Sequence, residues 1–245
     1  MTALGVIPAR YNSSRFPGKA LTPLCGRPMI EWVWRGARAA KTLARVVVAT
    51  DDERIADVCR AFGAEVALTR DDHRTGTDRT AEVAVATDHE IVVNIQGDEP
   101  LIEGFAIDAA VDALREAPDA AMSTVVHAVT DTDVADPHRV KVALDTSGNA
   151  LYFSRSVIPA VRSGGVPPRY WQHVGLYAYR RAFLLELAEL PPTPAERAEG
   201  LEQLRALEHG CRIRCAVLEG YRSVPVDIPA DVARAEARLR ESGRC

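Results

Sequence analysis

Short runs of β-branched and other apolar residues alternate along the first half of the chain with segments whose apolar positions recur at helical spacing. The runs predict strands at residues 4–9, 45–50, 64–68, 91–96, 122–129 and 139–145. The helical spacing predicts helices at residues 28–40, 52–62, 77–86 and 105–115. Several strands are apolar on both faces, and helices join them in series. We therefore predict an α/β fold with a doubly wound, mainly parallel, Rossmann-like sheet.

The second half of the chain has a different pattern. Residues 150–155 and 173–180 predict strands with paired aromatic residues, and a Pro/Gly-rich stretch at 158–170 separates them. We interpret that stretch as a mobile loop or a subdomain excursion. A helix around 194–209, a strand at 212–218 and a last helix at 229–240 are expected to follow. No linker divides the chain, so we predict a single domain over residues 1–245 with a small β excursion in its second half.

Composition excludes several classes of protein. The chain has 245 residues, 47% of them hydrophobic, and its 30 basic and 34 acidic side chains give a net charge of −4. This balance argues against a nucleic-acid binder, which needs a clustered positive field, and the apolar content argues against disorder. The apolar runs are shorter than the ~20 residues of a membrane-spanning helix. We expect a soluble, cytoplasmic protein with no nucleic-acid or membrane partner.

The cysteines carry no sign of a metal site or a disulfide framework. They are odd in number and scattered, without a CxxC pair or a nearby histidine at metal-binding spacing. We expect reduced thiols, most of them buried, with a free thiol at the C-terminus. The five positions are Cys25, Cys59, Cys211, Cys215 and Cys245.

The loop after the first predicted strand carries three cations, Arg10, Arg15 and Lys19. In an open parallel sheet, ligands bind beyond the carboxyl ends of the strands, which is where this loop lies. Three close cations repel one another unless they are solvated or face an anion, and a triphosphate supplies the required charge. The loop has neither a Walker A nor a GxGxxG pattern, so the sequence does not support an ATPase or a dehydrogenase. A solvated basic turn is the alternative.

Acidic residues follow two other strands. Asp98 follows the apolar run 91–96 in a Gly-Asp-Glu turn, and Asp227 lies in the segment 226–231, which is expected to end a strand and open the last helix. Mg²⁺ binds one or two carboxylates together with phosphate oxygens, so these aspartates are candidate metal ligands. The alternatives are a simple turn at Asp98 and a helix cap at Asp227 or Asp231. Earlier in the chain, Thr75 or Thr77 is a candidate helix cap, and His73 is expected to anchor its loop.

These motifs resemble, in order along almost the whole chain, those of the CMP-KDO synthetases, which are 3-deoxy-manno-octulosonate (KDO) cytidylyltransferases. The matching segments are IPARYNSSRFPGKAL, VVVATDDERI, TRDDHRTGTDR, VVNIQGDEPLI, ALYFSRSVIP, HVGLYAYR, PPTPAERAEGLEQLRALEHG and VDIPADV. The resemblance implies a homodimeric, Mg²⁺-dependent transferase for lipopolysaccharide biosynthesis. Such an enzyme moves CMP from CTP to the anomeric hydroxyl of KDO and releases pyrophosphate.

The resemblance also implies roles for individual residues. Catalytic roles fall on Arg10, Arg15, Lys19, Asp98 and Asp227, and the two aspartates would bind Mg²⁺. Nucleotide contacts fall on Pro8, Ala9, Arg10, Ser14, Arg15, Lys19, Arg74, Thr75 and Gln96. Acceptor contacts fall on Gln96, Arg155, His173, Tyr177, Glu202 and Gln203.

Four alternatives stay open at this point. The acceptor could be 8-amino-KDO, or a small phosphonate such as phosphonoformate in natural-product biosynthesis. The excess of arginine over lysine, 27 to three, fits a GC-rich actinobacterium, which would build no lipopolysaccharide, and this keeps the phosphonate alternative open. The donor could be ATP, GTP or UTP. The protein could also be a noncatalytic nucleotide sensor or scaffold, which the joint presence of Lys19, Asp98 and Asp227 disfavours.

Overall fold

A computed structural model describes residues 2–13, 15–129 and 133–245. Its strands are β1 (Ala3–Ala9), β2 (Pro23–Leu24), β3 (Arg27–Pro28), β4 (Leu43–Thr50), β5 (Glu65–Leu68), β6 (Ile91–Ile95), β7 (Met122–Ala128), β8 (Lys141–Leu144), β9 (Ala150–Ser154), β10 (Trp171–Arg180) and β11 (Ile213–Val217). Its helices are α1 (Met29–Arg38), α2 (Glu53–Ala61), α3 (Gly76–Val85), α4 (Gly104–Glu116), α5 (Arg181–Glu189), α6 (Pro194–Glu199), α7 (Gln203–Glu208) and α8 (Asp231–Glu241). Within the described ranges, no helix is both long and apolar enough to cross a bilayer.

The central sheet has the strand order β11-β7-β10-β6-β1-β4-β5. β1 pairs in parallel with both β4 and β6, whereas β10 runs antiparallel to its neighbours β6 and β7. β8 pairs with the start of β10 and with β9, which forms the β excursion expected in the second half. The predicted α/β class with a mainly parallel sheet is confirmed.

Helices cover both faces of the sheet. Along β1, Ala3 and Ile7 pack into one apolar cluster with residues of α1, α2 and α4, while Leu4 and Val6 pack into another with residues of α3 and α5. This alternation follows from the two-residue period of a strand. It explains why the central strands are apolar at nearly every position, as the sequence pattern indicated.

Two helical segments differ from prediction. The expected helix at 194–209 is two helices, because Gly200 ends α6 in the left-handed conformation (φ 62°) and its N–H donates to the carbonyl of Glu196. α5 was not predicted. It follows β10 without a side-chain cap, and its buried residues Phe183, Leu184 and Leu187 form a stripe too short to stand out.

The cysteine prediction was wrong at two positions, since Cys25 and Cys245 form a disulfide with a Cα–Cα distance of 5.9 Å. Packing of α8 against the β2–β3 hairpin brings these residues together, with Leu24 and Leu239 in one buried cluster. The backbone N–H of Cys25 also donates to Glu236 of α8 at 2.8 Å. The remaining thiols are free, as expected, two of them buried and one partly buried.

Candidate active site

A cavity of about 220 Å³ opens beyond the carboxyl ends of β1 and β6. Four stretches of the chain line it: the loop after β1, the start of α3, the turn after β6 and the segment before α8. Most of the sequence-predicted nucleotide contacts and both predicted metal ligands lie here. The lining residues are Pro8, Ala9, Arg10, Ser13, Arg15, Lys19, Ala20, His73, Arg74, Thr75, Gly76, Arg79, Gln96, Gly97, Asp98 and Asp227. Ser14, another predicted contact, lies outside the described residues.

Two glycines let these segments converge on Pro8. A Cβ atom on Gly97 would lie 2.9 Å from the carbonyl oxygen of Pro8, closer than real Cβ contacts allow. A Cβ on Gly76 would lie 3.1 Å from the Pro8 ring. The absence of side chains at both positions therefore brings the turn after β6 and the first turn of α3 against the end of β1.

The basic loop is closed by its own backbone. The N–H of Gly18 donates to the carbonyl of Tyr11 at 2.8 Å, and Gly18 adopts a left-handed φ of 71° that favours glycine. The Tyr11 ring lies under the guanidinium of Arg54, whose carbon is 3.4 Å from the ring centroid. This closure places Lys19, at the end of the loop, inside the cavity.

Lys19 and the two aspartates meet at the centre of the cavity. The Nζ of Lys19 lies 2.8 Å from Oδ2 of Asp98 and 3.7 Å from Oδ1 of Asp227. Arg15 pairs with the same oxygen of Asp227 at 2.9 Å. Two carboxylates thus converge on one point beside two cations, so the geometry brings together the predicted phosphate-binding and metal-binding groups.

A set of hydrogen bonds holds Asp227 next to Asp98. The backbone N–H of Val226 donates to the carbonyl of Asp98 at 2.9 Å. Asp231 does not use its side chain as the helix cap considered from sequence, and its carboxylate accepts instead from the N–H groups of Asp227 and Ile228. These bonds make the segment before α8 part of the cavity wall.

Beside this centre lies a buried contact that the sequence did not predict. The hydroxyl of Ser223 contacts both carboxyl oxygens of Glu99 at 2.7 and 2.8 Å. Burial, assisted by the neighbouring negative charges of Asp98 and Asp227, raises the pKa of Glu99 to about 8. The only sequence signal was the position of this glutamate directly after Asp98.

At the start of α3, Thr75 is the N-cap and forms a capping box with Asp78, which decides between the two candidate threonines. His73 contacts the carboxylate of Glu82 and so anchors its loop, as predicted. Arg79 is buried in the cavity wall and was not anticipated. Its place on α3, four residues after the capping threonine, is the signal that could have indicated it.

Of the predicted acceptor contacts, only Gln96 lines the cavity. Three others form a neighbouring cluster: the hydroxyl of Tyr177 donates to Oε1 of Gln203 at 3.1 Å, and the ring centroids of His173 and Tyr177 lie 5.2 Å apart. Burial lowers the pKa of His173 to about 3, so its imidazole is neutral at physiological pH. Gly175, on the same strand, packs against Gln96. Gln96 therefore lies between the cavity and this cluster.

We refer to His173, Tyr177, Gln203 and the adjacent Glu202 as the acceptor cluster, after the role predicted for them from the sequence. Three buried polar atoms in it have no hydrogen-bond partner among the described residues: Nε2 of His173, Oε1 of Glu202 and Nε2 of Gln203. Arg155, by contrast, directs its side chain to the carbonyls of Glu199 and Pro137 at 2.7 and 3.2 Å. The first set is available to a ligand, whereas Arg155 is engaged with the backbone.

The mixed sheet, with a basic loop and paired carboxylates at the carboxyl ends of its strands, defines a nucleotide-handling α/β enzyme. The chain belongs to the cytidylyltransferase family, whose model matches residues 4–213. It is 50% identical over 240 residues to the 3-deoxy-manno-octulosonate cytidylyltransferase of Solibacter usitatus, covering 98% of this chain and 95% of that protein. It is 48% identical over 241 residues to the enzyme of the same name from Myxococcus xanthus, covering 98% and 97%.

A solved structure agrees with this assignment. The structure of CMP:2-keto-3-deoxy-manno-octonic acid synthetase complexed with CTP has a TM-score of 0.93 against this chain and 41% sequence identity. The match covers 99% of this chain and all of that one. The similarity therefore extends over the complete sheet and the cavity described above.

Proposed function

We propose that this protein is a Mg²⁺-dependent cytidylyltransferase that transfers CMP from CTP to KDO and releases pyrophosphate. The observation that carries the proposal is the convergence of Lys19, Asp98 and Asp227 in one cavity. The names of relatives matched over nearly the full chain support KDO as the acceptor and do not favour the phosphonate alternative.

The reaction is a substitution at the α-phosphorus of CTP. The anomeric hydroxyl oxygen of the acceptor forms a bond to that phosphorus, and the bond to the bridging oxygen between the α- and β-phosphates breaks. Pyrophosphate leaves with the electron pair, and the hydroxyl proton passes to solvent. The chain's contribution is to align the two oxygens and to stabilise negative charge, for which Arg10, Arg15 and Lys19 are suited.

Asp98 and Asp227 fit a magnesium ion. Both offer carboxylate oxygens, the ligands that Mg²⁺ prefers, and both already reach one cation, Lys19. No group of three or more potential protein ligands occurs among the described residues, which suits an ion that shares its coordination with phosphate and water. When bound, the ion would neutralise phosphate charge and lower the pKa of a coordinated hydroxyl. Lys19 would then pair with phosphate oxygens.

The cluster beside Gln96 suits a hydroxylated acceptor. Neutral His173, the Gln203 amide and the Glu202 carboxylate combine donors and acceptors of hydrogen bonds, and each has an unpartnered polar atom. A buried polar atom without a partner is costly, so a ligand that carries several hydroxyl groups gains by pairing with them. We assign this cluster to the sugar acid and the cavity to the nucleotide.

We also propose that the protein is a homodimer. Apolar side chains are exposed on β9 and in the segment after it, at Leu151, Val157, Val161 and Val166. Exposed apolar residues so close together in the sequence favour an interaction surface there. Analytical ultracentrifugation should give twice the mass of one chain, and a monomer at all concentrations tested would contradict this proposal.

Pyrophosphate release tests the function. The protein, CTP and Mg²⁺ are combined with KDO, 8-amino-KDO or phosphonoformate in parallel, with a reaction lacking acceptor as the control. We expect the highest kcat/KM with KDO and loss of turnover when ATP, GTP or UTP replaces CTP. Preference for phosphonoformate would contradict the acceptor assignment, and no turnover with any acceptor would contradict the function.

A further inference from the structure

The hydroxyl of Thr77 lies between the nucleotide cavity and the acceptor cluster. Thr77 follows Thr75 and Gly76, which line the cavity, and is itself 2% exposed. Its Oγ1 donates to Oε2 of Glu202 at 2.7 Å, across 125 residues of sequence. The first turn of α3 is thus bonded directly to the residue that precedes α7.

The same hydroxyl is in contact with the sheet. Nδ2 of Asn94 on β6 lies 3.4 Å from Oγ1 of Thr77, and Oδ1 of Asn94 accepts from Gln96 at 3.4 Å. Gln96 lines the cavity, so one hydroxyl connects two walls of the nucleotide site with the acceptor cluster.

The bond from Thr77 also fixes the orientation of the Glu202 carboxylate. The other carboxyl oxygen of Glu202, Oε1, is buried without a hydrogen-bond partner and lies 3.7 Å from the guanidinium of Arg205. With Oε2 bonded to Thr77 and Oε1 without a hydrogen-bond partner, the carboxylate is oriented to accept a hydrogen bond from a ligand hydroxyl through Oε1. Without the threonine hydroxyl, Oε2 would lose its 2.7 Å bond, and the carboxylate, left with the side chain of Thr75 as its hydroxyl partner, could rotate toward Arg205.

We propose that Thr77 is a positioning residue that orients Glu202 for the acceptor and couples this orientation to the nucleotide-binding turn at Thr75. This inference rests on the proposed function, because it assumes that Glu202 contacts the acceptor. Thr77 itself points to Glu202, so its role is indirect and should appear in acceptor binding.

Three variants isolate the hydroxyl. Thr77→Val removes it and keeps a β-branched side chain, and Thr77→Ser keeps it and removes a methyl group. Thr80→Val is the matched control, because Thr80 is buried on the same helix and its hydroxyl donates to the carbonyl of Gly76 at 2.8 Å, its single hydrogen bond among the described residues. This control reports the cost of losing a buried helical hydroxyl that makes no contact with Glu202.

The variants are compared by pyrophosphate release, with the KM of each substrate measured at saturation of the other. Thr77→Val should raise the acceptor KM by about ten-fold, equivalent to about 1.4 kcal/mol and typical of a lost hydrogen bond to a charged group. The KM for CTP should change by less than about two-fold, and Thr77→Ser and Thr80→Val should keep both values within about two-fold of wild type. Thermal unfolding and CTP titration calorimetry confirm that each variant is folded and binds nucleotide.

The proposal is overturned if Thr77→Val matches the Thr80→Val control, raises both KM values equally, or is not rescued by Thr77→Ser. If Thr77→Val does not fold, Thr77→Ala removes the same hydroxyl and is judged by the same criteria. A wild-type protein that ignores KDO but uses another acceptor defeats the KDO assignment alone, and the variants are then compared on that acceptor. Absence of turnover with every acceptor defeats both proposals.

Discussion

Asp98→Asn separates the proposed metal-binding role of this aspartate from its contribution to folding. The change removes one unit of negative charge and keeps the shape of the side chain and one acceptor oxygen. In the structure, Asp98 pairs with Lys19 at 2.8 Å, and the two side chains are 27% and 15% exposed. Lys19 would keep Asp227 at 3.7 Å as a partner. The change also removes the repulsion between Asp98 and Asp227, which offsets part of the lost ion pair, so we expect the free energy of unfolding to fall by about 1 kcal/mol.

The effect on catalysis should be much larger. If Asp98 supplies one of two protein ligands, its loss weakens Mg²⁺ binding beside the α-phosphate. We expect kcat/KM to fall at least about 100-fold, a loss of about 2.7 kcal/mol in transition-state stabilisation, and the Mg²⁺ concentration for half-maximal rate to rise. The assay is pyrophosphate release with CTP and KDO across a Mg²⁺ titration, alongside urea unfolding of the same samples.

Asp57→Asn provides the matched control. Asp57 lies on α2 with its side chain 73% exposed, and it pairs with Arg60 at 3.0 Å outside the cavity. The substitution removes the same charge and also breaks an ion pair, so it should leave turnover and Mg²⁺ dependence unchanged. If Asp98→Asn kept wild-type turnover with the same Mg²⁺ dependence, the metal assignment would be refuted.

Three further predictions concern stability. Gly36→Ala should cost about 3 kcal/mol in urea unfolding, because the new Cβ would lie 2.2 Å from the carbonyl oxygen of Ile102. Burial alone would raise the pKa of Glu196, but hydrogen bonds from Arg205 outweigh it and lower that pKa. Glu196 therefore stabilises the fold at pH values above the ordinary glutamate pKa of about 4.3, and this stabilisation is lost as the pH falls through the lower pKa of the folded state. Glu196→Gln should make the loss of stability at acidic pH less steep. Cys245→Ser should lower the melting temperature, because the disulfide closes a loop of 220 residues and typically contributes about 2–5 kcal/mol.

Each of these has a result that contradicts it. Arg38→Ala, an exposed change on the same helix as Gly36, should stay within about 0.5 kcal/mol of wild type, and equal losses in the two variants would rule out the close contact. If stability fell as steeply at acidic pH in Glu196→Gln as in wild type, the Glu196–Arg205 ion pair would be excluded as the cause. A dithiol reductant should lower the wild-type melting temperature to that of Cys245→Ser, and no response to reductant would contradict the disulfide's contribution.

Local sequence pattern predicted the elements that bury a continuous face. β1 and β6 are apolar at nearly every position because helices cover both sides of the sheet, and this pattern is visible in the sequence. It was less informative in the second half, where α5 has a short apolar stripe and Gly200 breaks a segment that otherwise reads as one helix. Helical spacing alone does not report a left-handed residue between two short helices.

The residue types of the nucleotide site were also determined locally. Arg10 and Lys19 stand after β1, and Asp98 stands after β6, so the rule that ligands bind at the carboxyl ends of parallel strands already placed them on one edge of the sheet. The resemblance to a known family added Gln96 and the acceptor residues, which periodicity and spacing did not identify.

Only the tertiary structure decided which distant groups meet. The Arg15–Asp227 ion pair, the Thr77–Glu202 hydrogen bond and the Cys25–Cys245 disulfide join residues 212, 125 and 220 positions apart. Such contacts depend on how helices pack onto the sheet, and packing is specified by the whole core, so no short segment contains a signal for them. The sequence alone therefore determined the strands, the helices and the chemistry at the sheet edge, and the packed fold brought Asp227 to Lys19 and Glu202 to Thr77.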